Sequence, residues 1–171
     1  MTGALGSSRL GRLAQRSASE REAALERCEL CGEPIPHEHR HLVDVRSGEL
    51  LCACRGCALL MDRPGAGGGH YRVVGERRRR LAGFKLDDDA WAAFDIPVEI
   101  AFFVRSSAAG HVIARYASPM GAVESALDLA AWEDLERANP ALATLEPDIE
   151  ALLVNRARGA QEHWLVPLDD C

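Results

Sequence analysis

The sequence lacks the features of a membrane protein, a secreted protein or a general polyanion binder. No apolar run approaches the ~20 residues that a membrane-spanning helix requires, and the N-terminus has no apolar segment of the secretory type. The 171 residues include 20 basic and 26 acidic side chains, a formal net charge of −6, whereas nucleic-acid-binding domains normally carry a basic excess. We therefore expect a cytoplasmic protein with no membrane insertion, and nucleic acid is not the expected partner.

Catalytic motifs are also missing. The glycine-rich stretch at 65–69 is not followed by Gly-Lys-Ser/Thr, so it is not a phosphate-binding loop, and it does not match the dinucleotide-binding pattern. No serine has the setting of a nucleophile elbow. Adjacent carboxylates such as Glu133 and Asp134 are more typical of solvated surface charge than of an acid–base pair. We therefore predict that the protein is not an enzyme.

The sequence does contain a dense group of cysteines. Five of its six cysteines lie within residues 28–57, as C-E-L-C and, twenty residues later, C-A-C-R-G-C. In a reducing compartment such pairs indicate metal or redox chemistry rather than disulfides. We predict that Cys28, Cys31, Cys54 and Cys57 bind one ion in a zinc-ribbon or rubredoxin-like module.

The identity of that ion stays open at this stage. Four thiolates complete a tetrahedral shell, which favours structural zinc. The same ligands would hold a single iron, as in rubredoxin, and ligand type does not separate the two metals. Cys52 shares a predicted strand face with Cys54 and is a candidate extra ligand. An iron–sulfur cluster that uses Cys52 ranks third, because the usual ferredoxin spacings are absent.

Three histidines follow the first cysteine pair at alternate positions. His37, His39 and His41 would line one face of the first predicted strand. They are either alternative ligands, or a weak nickel or copper site, or decoration of an exposed strand. We favour decoration, because four thiolates already satisfy a tetrahedral ion. Cys171 is isolated, and no role is predicted for it.

Local patterns predict an α+β protein in four segments. Residues 1–27 are a flexible N-terminus with a short helix, 28–63 the metal module with a hairpin at 40–45 and 50–54, 64–70 a glycine-rich linker, and 71–171 a mixed α+β domain. Within that domain we predict a first strand at 71–74, a helix at 86–94, a hairpin at 97–104 and 111–116, a helix beginning at Ser118-Pro119 and continuing to 139, and an edge strand at 163–167. Residues 148–155 are a helix or a buried strand, which periodicity does not separate.

Residues 77–80 are four consecutive arginines. Beside a zinc ribbon, such a run suggests that arginines neutralise nucleic-acid phosphates. The alternatives are a solvated loop or a surface that docks on an acidic protein. No aromatic side chains are interleaved for base stacking, and the chain as a whole is acidic, so the alternatives are favoured.

Several longer runs resemble an uncharacterised, mostly actinobacterial protein family that is often encoded beside uptake nickel–iron hydrogenases. These runs are CELCG (28–32), LLCACRGCALL (50–60), IPVEIAFF (96–103), LEPDIEALLVNRAR (145–158) and WLVPLDDC (164–171). The resemblance covers nearly everything after residue 27. It implies an accessory protein whose partner is a hydrogenase or its maturation machinery, and it supplies no catalytic residues. It also implies that members continue beyond Cys171 with another helical segment, so the second domain is expected to be incomplete.

The sequence thus predicts a metal-binding accessory or adaptor protein with a tetrathiolate zinc site. The first alternative is a rubredoxin-like electron-transfer protein with a single iron. The second is a nucleic-acid-binding zinc-ribbon protein.

Overall fold

The computed structural model describes residues 26–63, 65–119, 121–125 and 127–171. The predicted N-terminal segment, including most of its helix, therefore lies outside the described residues. Arg27, at the end of that segment, forms a β-bridge with Pro34. The described residues form nine β-strands and three α-helices in two antiparallel sheets, which confirms the predicted mixed α+β class.

The smaller sheet includes Cys52, and the four predicted ligands lie just before and just after its hairpin. Its predicted hairpin is present as β1 (Arg40–Asp44) and β2 (Glu49–Ala53), followed by the helix α1 (Arg55–Met61). A third strand, β3 (Tyr71–Val73), pairs with the other side of β1, giving the order β2-β1-β3. The prediction that residues 71–74 open the sheet of the second domain is therefore wrong, because these residues return to the cysteine-bearing hairpin.

The larger sheet has six strands in the order β4-β9-β8-β5-β6-β7. These strands are β4 (Arg79–Arg80), β5 (Ile100–Ser106), β6 (His111–Ser118), β7 (Gly121–Ser125), β8 (Glu150–Asn155) and β9 (Glu162–Pro167). The predicted hairpin is confirmed as β5–β6, and the ambiguous stretch is the strand β8. The prediction that residues 163–167 form an edge strand is wrong, because β9 lies between β8 and β4.

The two remaining helices differ in how well the sequence predicted them. The first, α2 (Asp88–Ala92), has the expected acidic first turn and is capped by the Asp87 side chain. The second, α3 (Leu129–Ala138), begins ten residues after Pro119. The prediction of a helix starting at Ser118-Pro119 is wrong, because the chain reverses there and adds β7 to the sheet. The Ser118 hydroxyl donates to the Gly121 carbonyl at 2.8 Å within that reversal.

The larger sheet is covered on both faces, so the described residues form three layers. On one face, Phe103 packs against Phe94 and Trp132 of the helical layer, with ring centroids 5.2 and 5.4 Å away. On the other face, Val43 and Val74 of the smaller sheet's layer pack into a cluster with strand residues of the larger sheet. Successive residues of a strand, such as Phe103 and Val104, belong to opposite clusters, because side chains alternate between the two faces of a sheet. The smaller sheet and its cysteines therefore rest on the larger sheet.

Candidate metal centre

The first cysteine pair lies on a tight turn before β1. The Gly32 N–H donates to the Cys28 carbonyl at 2.8 Å, and the Cys28 N–H donates to the Glu33 carbonyl at 2.9 Å. Gly32 has a φ of +76°, in the left-handed region that a residue without a Cβ adopts most readily. The turn folds the Cys28 and Cys31 side chains toward one point.

The second pair lies at the junction of β2 and α1. Cys54 is the N-cap of α1, with an extended backbone, and its sulfur accepts the Cys57 N–H at 3.4 Å. Cys57 lies in the first turn of the helix, so three residues of helical geometry return its thiol to the side of Cys54. The strand-to-helix transition therefore positions the second pair.

The four thiols converge on one point. The Sγ atoms of Cys28, Cys31, Cys54 and Cys57 all lie within 4.8 Å of one another, and those of Cys31 and Cys54 are 3.8 Å apart. Tetrahedral zinc or iron with metal–sulfur bonds of about 2.3 Å has sulfurs about 3.8 Å apart. The structure thus brings together the four predicted ligands in an arrangement compatible with a tetrathiolate metal site.

Glu29 ties the two pairs together through the backbone of β2. Its N–H donates to the Cys52 carbonyl at 2.9 Å, and its carboxylate accepts the Cys52 N–H at 2.6 Å. Glu29 lies between Cys28 and Cys31, and Cys52 lies two residues before Cys54. These two hydrogen bonds within the chain therefore help to hold the two cysteine pairs, and with them the thiols, close together.

The four thiols do not ionise equally. Burial opposes ionisation of Cys28, but hydrogen bonds with the backbone of Cys54, Leu30 and Cys31 outweigh it and lower the pKa of this thiol to about 6. Burial, together with the neighbouring thiols, raises the pKa of Cys57 to about 12. The Cys28 thiolate is therefore available as a first ligand at neutral pH. The Cys57 thiol stays protonated and becomes a ligand only when a cation displaces its proton.

Cys52, the candidate extra ligand, belongs to a different group. A ligand atom of Cys52 lies within 4.8 Å of those of His39 and His41, whose rings have centroids 4.6 Å apart. His37 is exposed and is not part of this group. The expectation that these histidines decorate an exposed strand is wrong for His39, whose side chain is only 6% exposed. Cys171 is exposed and lies outside both groups.

The sequence contained a signal for this second group that we did not use. The hairpin register makes His41 and Cys52 direct cross-strand partners. Counting outward from the predicted turn would have placed His41 opposite Cys54 and on the same sheet face as Cys52, whereas we compared Cys52 only with Cys54 in its own strand.

The four arginines at 77–80 are engaged within the chain. Arg77 forms a two-point ion pair with the buried Glu150, and Arg78 pairs with Asp170 at 2.5 and 2.7 Å. Arg79 donates to the Thr144 hydroxyl at 2.8 Å. The guanidinium carbon of Arg80 lies 5.9 Å from the centre of the Trp164 ring. The run therefore joins β4 to the rest of the molecule instead of forming a free cationic loop.

The fold and the thiol geometry define a class: a small α+β protein in which four cysteines on either side of a β-hairpin form a cluster compatible with a metal ion. The chain belongs to a family of unknown function, DUF5947, whose model matches residues 27–171. This confirms the expected membership in an uncharacterised family. No curated protein and no solved structure matches the chain. Among the described residues, no helix has the length and apolar character needed to cross a bilayer.

Proposed function

We propose that this protein is a non-enzymatic, cytoplasmic accessory or adaptor protein in which Cys28, Cys31, Cys54 and Cys57 hold one structural zinc ion. The observation that carries the proposal is the convergence of four sulfurs within 4.8 Å of one another, with those of Cys31 and Cys54 at the tetrahedral spacing of 3.8 Å. Four protein ligands leave no open coordination position, which suits a structural ion better than a catalytic one.

The ion would stabilise a module with a very small core of its own. The buried residues around the cysteines are Cys28, Ile35, Leu42, Ala53 and Ala58. So small a core supplies little hydrophobic free energy, whereas structural zinc contributes on the order of 10 kcal/mol or more. The zinc would fix α1 against the hairpin.

A fixed α1 would offer a surface to a protein partner. Leu59 and Leu60, two and three residues after Cys57, are 64% and 54% exposed. Adjacent exposed leucines are typical of a contact surface. The resemblance to proteins encoded beside nickel–iron hydrogenases supports a hydrogenase, or its maturation machinery, as that partner. Co-elution of the purified protein with such a partner, lost in a Leu59→Glu, Leu60→Glu variant that keeps its metal, tests the partner.

A rubredoxin-like electron carrier is the second candidate. It is favoured by the N–H to sulfur hydrogen bond at Cys54 and by the exposure of Cys31, which would give electrons a short route to the ion. Nucleic-acid binding has less support, because the arginine run that suggested it is engaged by acceptors within the chain.

Elemental analysis of protein purified without an affinity tag distinguishes the candidates. We expect a colourless protein with one tightly held zinc ion per chain. Cys54→Ser should lose that ion and lower the thermal transition, while Cys171→Ser, at an exposed cysteine outside the cluster, should keep it. A red protein containing iron would favour the electron carrier. An unchanged metal content and thermal transition in Cys54→Ser would contradict the four-cysteine site.

A further inference from the structure

A second group of metal-ligating side chains lies on the same hairpin. His41 of β1 and Cys52 of β2 are cross-strand partners, and His39 lies two residues before His41. One potential ligand atom from each of the three lies within 4.8 Å of the others. This group shares no ligand with the four-cysteine cluster.

Asp169 determines which nitrogen of His41 is available. The His41 Nδ1 atom lies 2.8 Å from a carboxylate oxygen of Asp169. An ionised carboxylate only accepts hydrogen bonds, so Nδ1 carries the proton, and the Nε2 of a neutral ring keeps its lone pair. A carboxylate that holds the far nitrogen of a histidine is the usual support of a metal-bound imidazole.

His39 is oriented in the same way, and its remaining nitrogen has no hydrogen-bond partner in the described part of the chain. Its Nδ1 faces the carbonyl oxygens of Pro36 and His37 at 3.0 and 3.1 Å. Both are acceptors, so Nδ1 is again the donor and Nε2 has the lone pair. Among the described residues, nothing hydrogen-bonds this buried Nε2. An unpaired buried polar atom lowers stability, and a bound cation would give this nitrogen a partner.

We propose that His39 Nε2, His41 Nε2 and Cys52 Sγ bind one borderline divalent transition cation, of the class of Zn²⁺, Co²⁺ or Ni²⁺, at a site separate from the four cysteines. Two imidazoles and a thiolate suit these cations, whereas Mg²⁺ and Ca²⁺ prefer oxygen ligands. Such ligands lie about 3.3–3.6 Å apart around a tetrahedral ion, and one nitrogen of each ring and the Cys52 sulfur lie within 4.8 Å of one another.

The site differs from the four-cysteine cluster in its number of protein ligands. Three protein ligands leave a fourth position for water or an external ligand. The His41 side chain is 27% exposed, which gives a cation a route in. The cation at this site therefore exchanges faster with solution than an ion enclosed by four thiolates.

Cobalt binding to the full-length chain tests the proposal. Protein purified without a tag, reduced and stripped of metal, is dialysed anaerobically against CoCl₂, and bound cobalt is counted by elemental analysis. We expect two ions per chain in the unmodified protein and in His37→Ala, the matched control at a nearby exposed histidine. We expect one ion in Cys52→Ser and in the double variant His39→Ala, His41→Ala. His41→Ala alone, at a partly exposed position, replaces the double variant if that variant does not fold.

Two cobalt ions retained in the His and Cys52 variants would overturn the proposal, and so would a single ion in the unmodified protein that these variants keep. The outcomes also separate the two sites. A single ion lost in His41→Ala but kept in Cys54→Ser would support this site and contradict the four-cysteine site.

Asp169 acts as a positioning residue, which has its own readout. Asp169→Ala should lower the cobalt affinity of the His39–His41–Cys52 site by about 10–100-fold and leave that of the four-cysteine site unchanged. Asp169→Asn, whose amide oxygen still accepts from Nδ1, should recover part of the loss. Equal weakening of both ions would contradict this role.

Discussion

At the scale of single residues, buried polar side chains connect segments that are distant in sequence. Buried Glu150 accepts from Arg77 and from the Glu146 N–H. Asn139 pairs with both the N–H and the carbonyl of Lys85, at 2.7 and 2.9 Å. Each bond satisfies a group whose burial would otherwise cost free energy. The Glu150 bonds fix loop residues to β8, and the Asn139 bonds join the segment before α2 to the end of α3.

Removal of Arg77 should leave a buried carboxylate without its counter-ion. Breaking a fully buried ion pair costs about 3–5 kcal/mol. Because the Arg77 side chain is 42% exposed while that of Glu150 is 5% exposed, water would replace part of the lost interaction. We expect Arg77→Met to lower the free energy of unfolding by about 2 kcal/mol, measured by urea titration.

A matched control for that variant is Arg40→Met. Arg40 pairs with Glu76 at 2.7 Å, but both side chains are largely exposed. Exposed pairs contribute about 0–1 kcal/mol, so this variant should change stability little. An equal loss in both variants would show that burial of Glu150 does not matter.

The thiol pKa values predict how metal binding depends on pH. Hydrogen bonding to the Glu33 backbone favours the Cys31 thiolate, but the pKa of Cys31 is raised overall, chiefly by its hydrogen bond to Cys28. The pKa of Cys57 is raised to about 12. Both thiols are therefore protonated at pH 7 and must lose their protons to solvent when they bind a cation.

Metal affinity should consequently rise with pH, by at least about 100-fold per pH unit near pH 7 if two protons are displaced. Chelator competition at pH 6.5, 7.0 and 7.5 measures this slope. Stability that depends on the ion should be lost as pH falls. A slope near zero would mean that the thiols are already ionised without the ion.

At the scale of elements, the start of α3 depends on a single capping side chain. The Asp128 carboxylate accepts the N–H groups of Ala130 and Ala131 at 2.9 and 3.3 Å, and α3 begins there. Ser118 followed by Pro119 looked like a cap in the sequence, but its hydroxyl serves a strand reversal instead. Pairing with β6 outweighed the local helix signal.

We expect Asp128→Ala to cost about 1 kcal/mol of stability, because two helical N–H groups lose their acceptor. Asp128→Asn should retain most of it, since its amide oxygen also caps. Glu133→Ala, at an exposed position on the same helix, is the control. Urea unfolding would contradict the capping role if Asp128→Ala and Glu133→Ala had the same effect.

At the scale of the whole molecule, the smaller sheet covers one face of the larger one. Val43 and Val74 of the smaller sheet's layer pack against Val104, Ile113 and Val166. Arg72 of β3 reinforces this contact by donating to the Pro147 carbonyl at 2.7 Å. Loss of the metal should therefore also affect the larger sheet, by uncovering apolar residues.

Chelation of the metal should unfold the cysteine-bearing hairpin before the larger sheet. We expect residues 28–60 to lose hydrogen-exchange protection, because their own core is small, while β5 and β8 keep theirs. Binding of a hydrophobic dye should rise as the covered face becomes accessible. Uniform loss of protection across both sheets would show instead that the molecule unfolds as one unit.

The sequence predicted the features that short spacings encode. Two C-x-x-C pairs on either side of a hairpin indicated four converging thiols, and the structure brings those sulfurs together. The hairpin at 97–104 and 111–116 followed from two strand-like runs on either side of a turn, and the acidic first turn located α2. The strand β8 was not separable from a helix because it is buried on both faces and so has no period of two.

The tertiary structure alone decided what depends on distant partners. It assigned β3 to the cysteine-bearing sheet and placed β9 between two other strands. It also paired Arg77 and Arg78 with acidic residues and placed Asp169 against His41. The physical reason is that cysteine spacing and turn chemistry act over a few residues. Strand order and ion pairing instead depend on contacts between residues as many as 128 positions apart, which no local pattern contains.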